Sequence, residues 1–307
     1  MIAVVGADGT VGSALATALR TGRVVYRVPR AGEVAIHSAD ELLRSAAVVI
    51  NAAGFRVRPG LAAADYRRSH GDAVARLAAR LAPGALLVQI SSASVLGRDP
   101  TRPLGNDLSG RPETFGCPAY ALAKREAEDV ARSVAASRGL RIAVVRPAVL
   151  YGPEPDGMIG TLLTLGRKGL LLRLVPGTHR HHLCSFPLLV EAIGRIARAG
   201  EGIEPPLVVA DPFFVTSAEI AAAIRDIHQP RISIPFPAGG GGAVLRLFPR
   251  TASPRFDLKT WGEILGILAL DTVYDPSETY ARLGLDPARF SRERTWDRLV
   301  RGLEAAP

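Results

Sequence analysis

A glycine-rich loop directly after the first apolar run limits what this chain can fold into more than any other feature of the sequence. The run covers residues 2–5 and predicts a short buried strand, and GADGTVG then follows before a helical pattern begins. Glycines in the spacing G-x-x-G-x-x-G allow a tight turn and let the backbone approach a pyrophosphate at the N-terminus of the next helix. The loop therefore predicts a strand–loop–helix unit that binds a dinucleotide through Gly6, Gly9, Thr10, Val11 and Gly12.

Short apolar runs and helical patterns alternate along the rest of the chain. Helical patterns cover residues 65–82 and the segment after Pro118, among others. Such alternation is typical of α/β proteins, in which a parallel sheet lies between two layers of helices. We therefore predict a Rossmann-type doubly wound parallel sheet, with further strands within residues 23–28, 46–54, 85–94, 140–152 and 205–211.

Two segments do not follow this alternation. Residues 153–182 begin with Gly/Pro turns, and residues 230–258 are rich in Pro and Gly. We expect a smaller C-terminal substrate-binding lobe, built from residues 153–182 and 230–307. The NAD(P)-binding core is then predicted to consist of residues 1–152 and 183–229.

The composition favours a small anionic ligand over nucleic acid. The 307 residues carry a formal net charge of +9, and the sequence pI is about 10.2. That balance suits a nucleotide or a polyanion. Aromatic residues make up only 6% of the chain, and no basic run is interleaved with them, which argues against a surface that stacks bases. We expect a small-molecule partner and no nucleic acid.

The cysteines and the apolar segments bear on the compartment. Cys117 and Cys184 are the two cysteines of the chain, and they lie outside any C-x-x-C spacing, which favours a reducing compartment. The first residues enter a strand without the basic region of a signal peptide. The apolar stretch at residues 158–175 is interrupted by three basic residues, so no bilayer span is expected. A cytoplasmic protein without a membrane partner is predicted.

The end of the second predicted strand bears on which dinucleotide binds. An acidic residue there hydrogen-bonds the ribose diol of NAD, whereas an arginine pairs with the 2′-phosphate of NADP. Residues 24–32 read VVYRVPRAG, with Arg27 and Arg30 and no acid before Glu33. These arginines favour NADP, and NAD remains the alternative because Asp8 in the glycine loop would repel an added phosphate.

Four further motifs follow the glycine loop. NAAG covers residues 51–54, SSASVLG covers 91–97, YALAK covers 120–124 and RPAVLYGP covers 146–153. In this order the motifs resemble those of the extended short-chain dehydrogenase/reductase family, in its branch of NAD(P)-dependent nucleotide-sugar epimerases, dehydratases and 4-ketoreductases. The resemblance extends nearly to the end of the chain, through residues 272–287.

The resemblance implies a catalytic role for three residues. Tyr120 would be the proton donor and acceptor, Lys124 its partner, and Ser92, three residues before Val95, the hydroxyl that holds the reacting oxygen. It also implies cofactor contacts from Asn51, Ala52, Ala53, Gly54, Lys124 and Pro147.

The chemistry of a phenol beside an ammonium group agrees with that implication. Hydride transfer to a ketone leaves an alkoxide that needs a proton, and a phenol with a pKa of about 10 is a poor acid and a worse base at neutral pH. Lowering that pKa by about three units requires about 4 kcal/mol. Because Lys124 lies one helical turn from Tyr120, we expect its charge to stabilise the phenolate and to lower the pKa of Tyr120.

Two positions depart from the family pattern. His70 stands where the family usually has Asn on the helix after NAAG, which leaves a proton relay through this position open. Val149 stands where many nucleotide-sugar members have Asn in R-P-x-N-x-Y-G-P, which weakens the prediction of a nucleotide-diphosphate substrate.

Candidate substrate contacts are Ser94, Arg173 and Arg180. A guanidinium group can bind a phosphate through two hydrogen bonds, although either arginine could equally be an ordinary surface residue. HRHH at 179–182 is not expected to hold a metal, because adjacent side chains on a strand point in opposite directions and no carboxylate or cysteine has ligand spacing. We therefore predict no metal site.

These features together predict an NAD(P)-dependent oxidoreductase, either a ketoreductase or an epimerase of a nucleotide-activated (deoxy)sugar, with Tyr120 as acid and base. One alternative is a reductase of an apolar secondary-metabolite or steroid-like ketone, which Val149 and the leucine-rich residues 162–174 favour. Its pocket would be lined by apolar side chains. A further alternative is a non-catalytic NADP-sensing regulator on the same fold. The resemblance also allows a homodimer.

Overall fold

A six-stranded parallel sheet forms the centre of the protein. The computed structural model describes residues 1–19, 25–28, 39–57, 61–99, 102–106, 110–152, 157–238 and 265–301, with residues 25–28 described by their backbone alone. The sheet order is β2-β1-β3-β4-β5-β9, and all neighbouring strands are parallel. The strands are β1 (Ile2–Val5), β2 (Val25–Val28), β3 (Val48–Asn51), β4 (Leu86–Ile90), β5 (Arg141–Pro147) and β9 (Ile203–Val209).

The strand order creates a crevice at the carboxyl edge of the sheet. From β1 the chain continues to β2 on one side, and β3 lies on the other side of β1, so the winding direction reverses between β1 and β3. Ligands of open α/β sheets bind at such a switch point, outside the carboxyl ends of the strands. The glycine loop follows β1 and the NAAG segment follows β3, so both begin at this crevice.

Helices cover both faces of the sheet. Apolar side chains from α1 (Thr10–Ala18) and α7 (Phe186–Ala199) pack on one face. Those from α2 (Asp40–Ser45), α4 (Ala73–Ala78) and α5 (Pro118–Arg138) pack on the other. Strands covered on both faces read as continuous apolar runs, which is the pattern in the sequence. The predicted doubly wound fold is confirmed.

The ends of α5, the helix that carries Tyr120 and Lys124, follow from local signals. Pro118 occupies the first helical position, where its missing N–H costs no hydrogen bond. Gly139 ends the helix in a left-handed conformation with a φ of 65°. Alanines on the buried face let α5 lie close to the sheet, and the same face buries Lys124 and Glu128.

The helix predicted over residues 65–82 is divided in the structure. α3 (Ala63–Arg67) is followed by a π-helical turn (Arg68–Asp72) and then by α4. Such a turn locally widens the helix, and it is frequent at functional sites. It buries His70, one of the two positions at which the sequence departs from the family pattern.

A second group of elements packs around its own apolar cluster. β6 (Val149–Tyr151), β8 (Arg180–Ser185) and β10 (Phe214–Thr216) form a three-stranded sheet, and β7 (Leu170–Val175) pairs with β11 (Ile232–Pro237). The helices of this cluster are α6 (Gly157–Arg167), α8 (Ser217–His228) and α10 (Trp296–Val300). We refer to these elements together as the lobe.

The predicted boundaries between core and lobe stay a prediction, and at least four elements pack differently from them. β6 and β10 fall within the residues predicted for the core, but they belong to the three-stranded sheet of the lobe. α8, predicted with the core, contributes Ile220 and Ile224 to the apolar cluster of the lobe. α9 (Ser277–Leu283), predicted with the lobe, contributes Tyr280 to the cluster beneath the main sheet. None of the helices in the described part of the chain is long and apolar enough to cross a membrane.

Candidate active site

The glycine loop forms a tight cradle between β1 and α1. Gly6 has a φ of 81°, which a residue with a Cβ adopts only under strain, and a Cβ on Gly6 would lie 2.8 Å from the backbone of Ala53. A Cβ on Gly12 would overlap the carbonyl oxygen of Gly6. The N–H groups of the first turn of α1, from Thr10 to Gly12, have no acceptor within the helix. This cradle suits the pyrophosphate of a dinucleotide.

Hydrogen bonds hold the two loops of the cradle in place. Gly9 caps α1, and its N–H donates to the carbonyl oxygen of Gly6 at 3.0 Å. On the β3 side, Asn51 Nδ2 donates to Gln89 Oε1 at 2.8 Å, and Asn51 Oδ1 accepts the N–H of Ala53 at 3.2 Å. The structure thus brings together the glycine loop and the NAAG segment, both predicted to contact the cofactor.

Ser92, Tyr120 and Lys124 meet at the carboxyl end of β4. The Ser92 hydroxyl lies close enough to the Tyr120 phenol to lower the pKa of that phenol, and it accepts the N–H of Ser94 at 3.2 Å. Lys124 Nζ lies 5.9 Å from the centre of the Tyr120 ring and donates to the carbonyl oxygen of Ile90 at 3.2 Å. The geometry allows proton transfer at Tyr120, whereas the catalytic roles of the three residues stay predictions.

The protonation of Tyr120 differs from the sequence expectation. Burial of the phenol raises its pKa to about 12, and the nearby Ser92 hydroxyl offsets only part of that rise. Burial also lowers the pKa of the Lys124 ammonium to about 8, against an opposing effect of the Glu128 carboxylate. The expected lowering of the Tyr120 pKa is therefore not found in the protein alone, because loss of hydration dominates. Tyr120 is protonated at neutral pH, which is the form that donates a proton to an alkoxide.

His70 packs against Tyr120. Its ring lies parallel to that of Tyr66 at 6.4 Å and meets Tyr120 edge to face at 5.8 Å. Nε2 donates to the carbonyl oxygen of Phe55 at 2.8 Å, since a carbonyl only accepts. Gly54 leaves room for the ring, because a Cβ there would overlap it. Burial lowers the pKa of His70 to about 2, so the imidazole is neutral at physiological pH.

An apolar wall adjoins Tyr120 on another side. Tyr120 packs against a small cluster to which the segment before α5, the helix α6 and residues 265–268 all contribute. Sequence reasoning could not place this wall, because its members are far apart in the chain. The wall consists of Val57, Phe115, Cys117, Ala121, Met158 and Ile267.

The remaining predicted cofactor and substrate contacts are only partly described. Arg27 lies on β2 opposite Val4, but its side chain and the whole of Arg30 lie outside the described residues. Pro147 is buried at the carboxyl end of β5. Ser94 is buried, and its hydroxyl has no hydrogen-bond partner among the described residues, which is compatible with a ligand contact.

The two arginines predicted to contact substrate phosphates have partners within the lobe. Arg173 Nε donates to Ser233 Oγ at 3.1 Å, between β7 and β11. The Arg180 guanidinium lies 3.2 Å from a carboxylate oxygen of Asp271 and covers the ring of Phe214 at 5.6 Å. Both side chains are exposed, and a substrate contact from either stays a prediction.

Of the three histidines in HRHH, His181 and His182 lie on β8, and they have different hydrogen-bond partners. His181 bonds Ser217 Oγ at 2.8 Å and Thr272 Oγ1 at 3.0 Å, whereas His182 Nδ1 accepts the N–H of Tyr274 at 3.1 Å. Within the ranges that the structure describes, no group of three or more His, Cys, Asp or Glu side chains is arranged to hold a metal ion.

Asp211 is a buried acid that connects the end of β9 to the lobe. The Tyr151 hydroxyl donates to its Oδ2 at 2.6 Å, and the Ser185 hydroxyl donates to its Oδ1 at 2.8 Å. Burial nevertheless raises the pKa of Asp211 from 3.8 to about 7. Sequence reasoning did not identify Asp211 or its contact with Tyr151.

Replacing Asp211 by Asn should reduce the loss of stability between pH 4 and pH 7. Because the pKa of Asp211 is higher in the folded chain than its usual 3.8, its contribution is fully present below about pH 4 and is lost as the pH rises through about 7. The full difference between a pKa of 3.8 and one of about 7 corresponds to about 4 kcal/mol in the free energy of unfolding. An Asn amide can replace the protonated acid, since it donates to Tyr151 and accepts from Ser185.

Urea unfolding of wild type and Asp211→Asn at pH 5 and pH 8 measures this effect. The exposed Asp226→Asn serves as the control and should keep the wild-type pH dependence. Equal pH dependence in the wild type and in Asp211→Asn would contradict the assignment.

Comparison with known protein families agrees with a site that binds a dinucleotide. Residues 2–204 match the model of the NAD dependent epimerase/dehydratase family. This chain belongs to that family, and it is an NAD(P)-dependent oxidoreductase or epimerase. The family resemblance inferred from the motifs is confirmed. A search among curated protein sequences found no significant match.

Solved structures of the same fold include complexes with ligands. MoeE5 in complex with UDP-glucose and NAD is 24% identical, with a TM-score of 0.64 over 86% of this chain and 97% of that chain. The UDP-glucuronic acid 4-epimerase from Bacillus cereus, in complex with NAD, is 17% identical, with a TM-score of 0.64 over 86% and 96% of the two chains. Human epimerase family protein SDR39U1 with NADPH is 20% identical, with a TM-score of 0.69 over 94% and 98%. At these identities the similarity establishes the fold.

Proposed function

We propose that this protein oxidises, reduces or epimerises a carbon of a nucleotide-activated sugar, with Tyr120 as the acid and base. The observation that carries the proposal is the meeting of Ser92, Tyr120 and Lys124 at the carboxyl edge of a sheet whose glycine cradle suits a dinucleotide. A protonated phenol beside a serine hydroxyl can bind a carbonyl or hydroxyl oxygen between them.

Each group of residues in the site has its own proposed role. The cradle of Gly6 and Gly12, with the first-turn N–H groups of α1, would hold the pyrophosphate. A bound nicotinamide supplies or takes up the hydride. Lys124 would bind the nicotinamide ribose, Ser92 would orient the reacting oxygen, and Tyr120 would donate its proton in reduction and recover it in oxidation. NADP is the proposed preference on account of Arg27 and Arg30, with NAD as the alternative.

A sugar nucleotide is the proposed substrate for two reasons. The net charge of +9 favours an anionic ligand. MoeE5, a protein of the same fold, has been solved in complex with UDP-glucose and NAD and in complex with UDP-glucuronic acid and NAD. Val149 and the lobe partners of Arg173 and Arg180 count against specific phosphate contacts from these positions.

The apolar wall beside Tyr120 favours a second candidate, the reduction of an apolar ketone. Five of its side chains are those of Val57, Phe115, Cys117, Met158 and Ile267, which have no strong hydrogen-bonding group for a sugar. A ketone on an apolar ring system would bury its surface there, and only its carbonyl oxygen would need Ser92 and Tyr120.

Turnover assays with two substrate panels separate these candidates. The protein is incubated with NADPH or NADH and either 4-keto sugar nucleotides or apolar ketones, and reduced-nicotinamide absorbance is followed. UDP-sugars are tested in parallel by chromatography, because epimerisation produces no net redox change. We expect turnover of sugar nucleotides alone and tighter binding of NADP⁺ than of NAD⁺ in calorimetry. Turnover of apolar ketones alone would favour the second candidate, and failure to bind either cofactor would overturn both.

A further inference from the structure

Three ionisable side chains follow one another along the buried face of α5. Tyr120, Lys124 and Glu128 are spaced four residues apart, so each lies about one helical turn from the next. Lys124 is 6% exposed and Glu128 is fully buried. A carboxylate in such a position costs free energy unless charged partners surround it, and its presence beside the site calls for a physical reason.

Two arginines hold the Glu128 carboxylate. Arg146 on β5, itself fully buried, donates from Nε to Oε1 at 2.9 Å and from Nη2 to Oε2 at 2.7 Å. This two-pronged contact fixes the plane of the carboxylate. Arg132, one turn along α5, approaches Oε2 at 3.4 Å, and the Ser91 hydroxyl faces the same group. The pKa of Glu128 is lowered despite its burial, so its negative charge is retained.

The basic residue that faces Glu128 from the side of Tyr120 is a lysine, although most basic residues of this chain are arginines. Only three of the 38 basic residues are lysines: Lys124, Lys168 and Lys259. A guanidinium group keeps its charge under any burial, whereas a buried ammonium group can lose its charge near neutral pH. The charge of Lys124 therefore depends on its neighbours.

The other titratable groups that face Lys124 do not supply a negative charge. His70, from the π-helical turn, is neutral because its pKa is lowered to about 2 by burial. Tyr120 is neutral because its pKa is raised to about 12. Glu128 is the group whose charge raises the pKa of Lys124, against the effect of burial.

We propose that Glu128, oriented by Arg146, is a positioning residue that keeps the Lys124 ammonium charged beside Tyr120. Glu128 does not touch the reacting atoms and acts through Lys124. The functional consequence rests on the role proposed for Lys124 above, but the charge of Lys124 can be measured without any substrate.

Carbon-13 NMR of lysine-labelled protein measures that charge directly, since three lysines give three signals and Lys124→Met identifies the relevant one. In the wild type, a pKa of about 8 leaves about nine-tenths of Lys124 charged at pH 7. In Glu128→Gln we expect less than half to be charged, because the attractive charge is removed and the repulsion from Arg146 remains.

Two further variants keep the test informative if Glu128→Gln does not fold. Glu128→Gln/Arg146→Met removes both buried charges, and in this double variant Lys124 should titrate at a pH between those of the single variant and the wild type. Arg132→Ala removes a cation near Glu128, and in this variant Lys124 should titrate at or above the pH at which it titrates in the wild type. Titration of Lys124 at the wild-type pH in the single and double variants would overturn the proposal. A shifted titration without a matching shift in the pH profile of turnover would instead contradict the proposed role of Lys124.

Discussion

Replacing Tyr120 by phenylalanine is expected to reduce turnover by about 10²- to 10⁴-fold, the range over which a positioned proton donor contributes to catalysis. The phenyl ring can keep its edge-to-face contacts with Tyr66 at 5.7 Å and His70 at 5.8 Å, so the site should stay assembled. The variant loses only the O–H group that lies near Ser92. Cofactor affinity should therefore stay close to that of the wild type, and the effect should lie in kcat.

A matched control separates loss of chemistry from loss of a buried hydroxyl. Tyr280→Phe removes a hydroxyl that donates to the Ala210 carbonyl at 3.3 Å, away from the candidate site. It should retain wild-type turnover, with a loss of stability of about 1 kcal/mol. Retention of more than a tenth of the turnover by Tyr120→Phe would contradict the acid/base role. If Tyr120→Phe abolishes turnover but leaves the biological activity intact, the alternative of a non-catalytic NADP-sensing regulator is favoured.

The fold could be predicted because its signals are local. The glycine loop after β1 and the alternation of apolar runs with helical patterns identify a doubly wound sheet before any contact is known. The π-helical turn that buries His70 could not be predicted, because hydrophobic periodicity over residues 65–82 indicates a helix without resolving a single inserted residue.

Site residues that belong to a sequence motif could be predicted, whereas neighbours that only tertiary packing supplies were missed. Lys124 lies near Tyr120 because both are on α5, and the same spacing continues to Glu128, a signal that could have identified the third group. Met158 and Ile267 reach Tyr120 only through the packing of distant segments. The burial that raises the pKa of Tyr120 comes from the same packing. Spacing alone therefore predicted a lowered pKa for Tyr120 instead of a raised one.

The cradle offers the second large effect, in Gly12→Ala. In an exposed helix this change would add up to about 1 kcal/mol of stability, because glycine is the poorer helix former. Here the added Cβ would overlap the Gly6 carbonyl oxygen and would lie 2.9 Å from the Ala7 Cα, both backbone atoms that cannot rotate away. Either α1 or the loop must move, at a cost of about 1–3 kcal/mol, which outweighs the gain in helix propensity.

That displacement should weaken cofactor binding more than it weakens the fold. The N–H groups of Thr10 and Val11 are aimed by the position of α1, and a shift of the helix misaligns them with a pyrophosphate. We expect the Kd for NADP⁺ or NAD⁺ to rise at least about tenfold in calorimetry, equivalent to about 1.4 kcal/mol. Gly105→Ala is the control, since among the described residues its Cβ would meet only the Asp275 carbonyl oxygen at 3.9 Å, an ordinary contact. If Gly12→Ala bound both dinucleotides as tightly as Gly105→Ala, the pyrophosphate would have to lie elsewhere than at the N-terminus of α1.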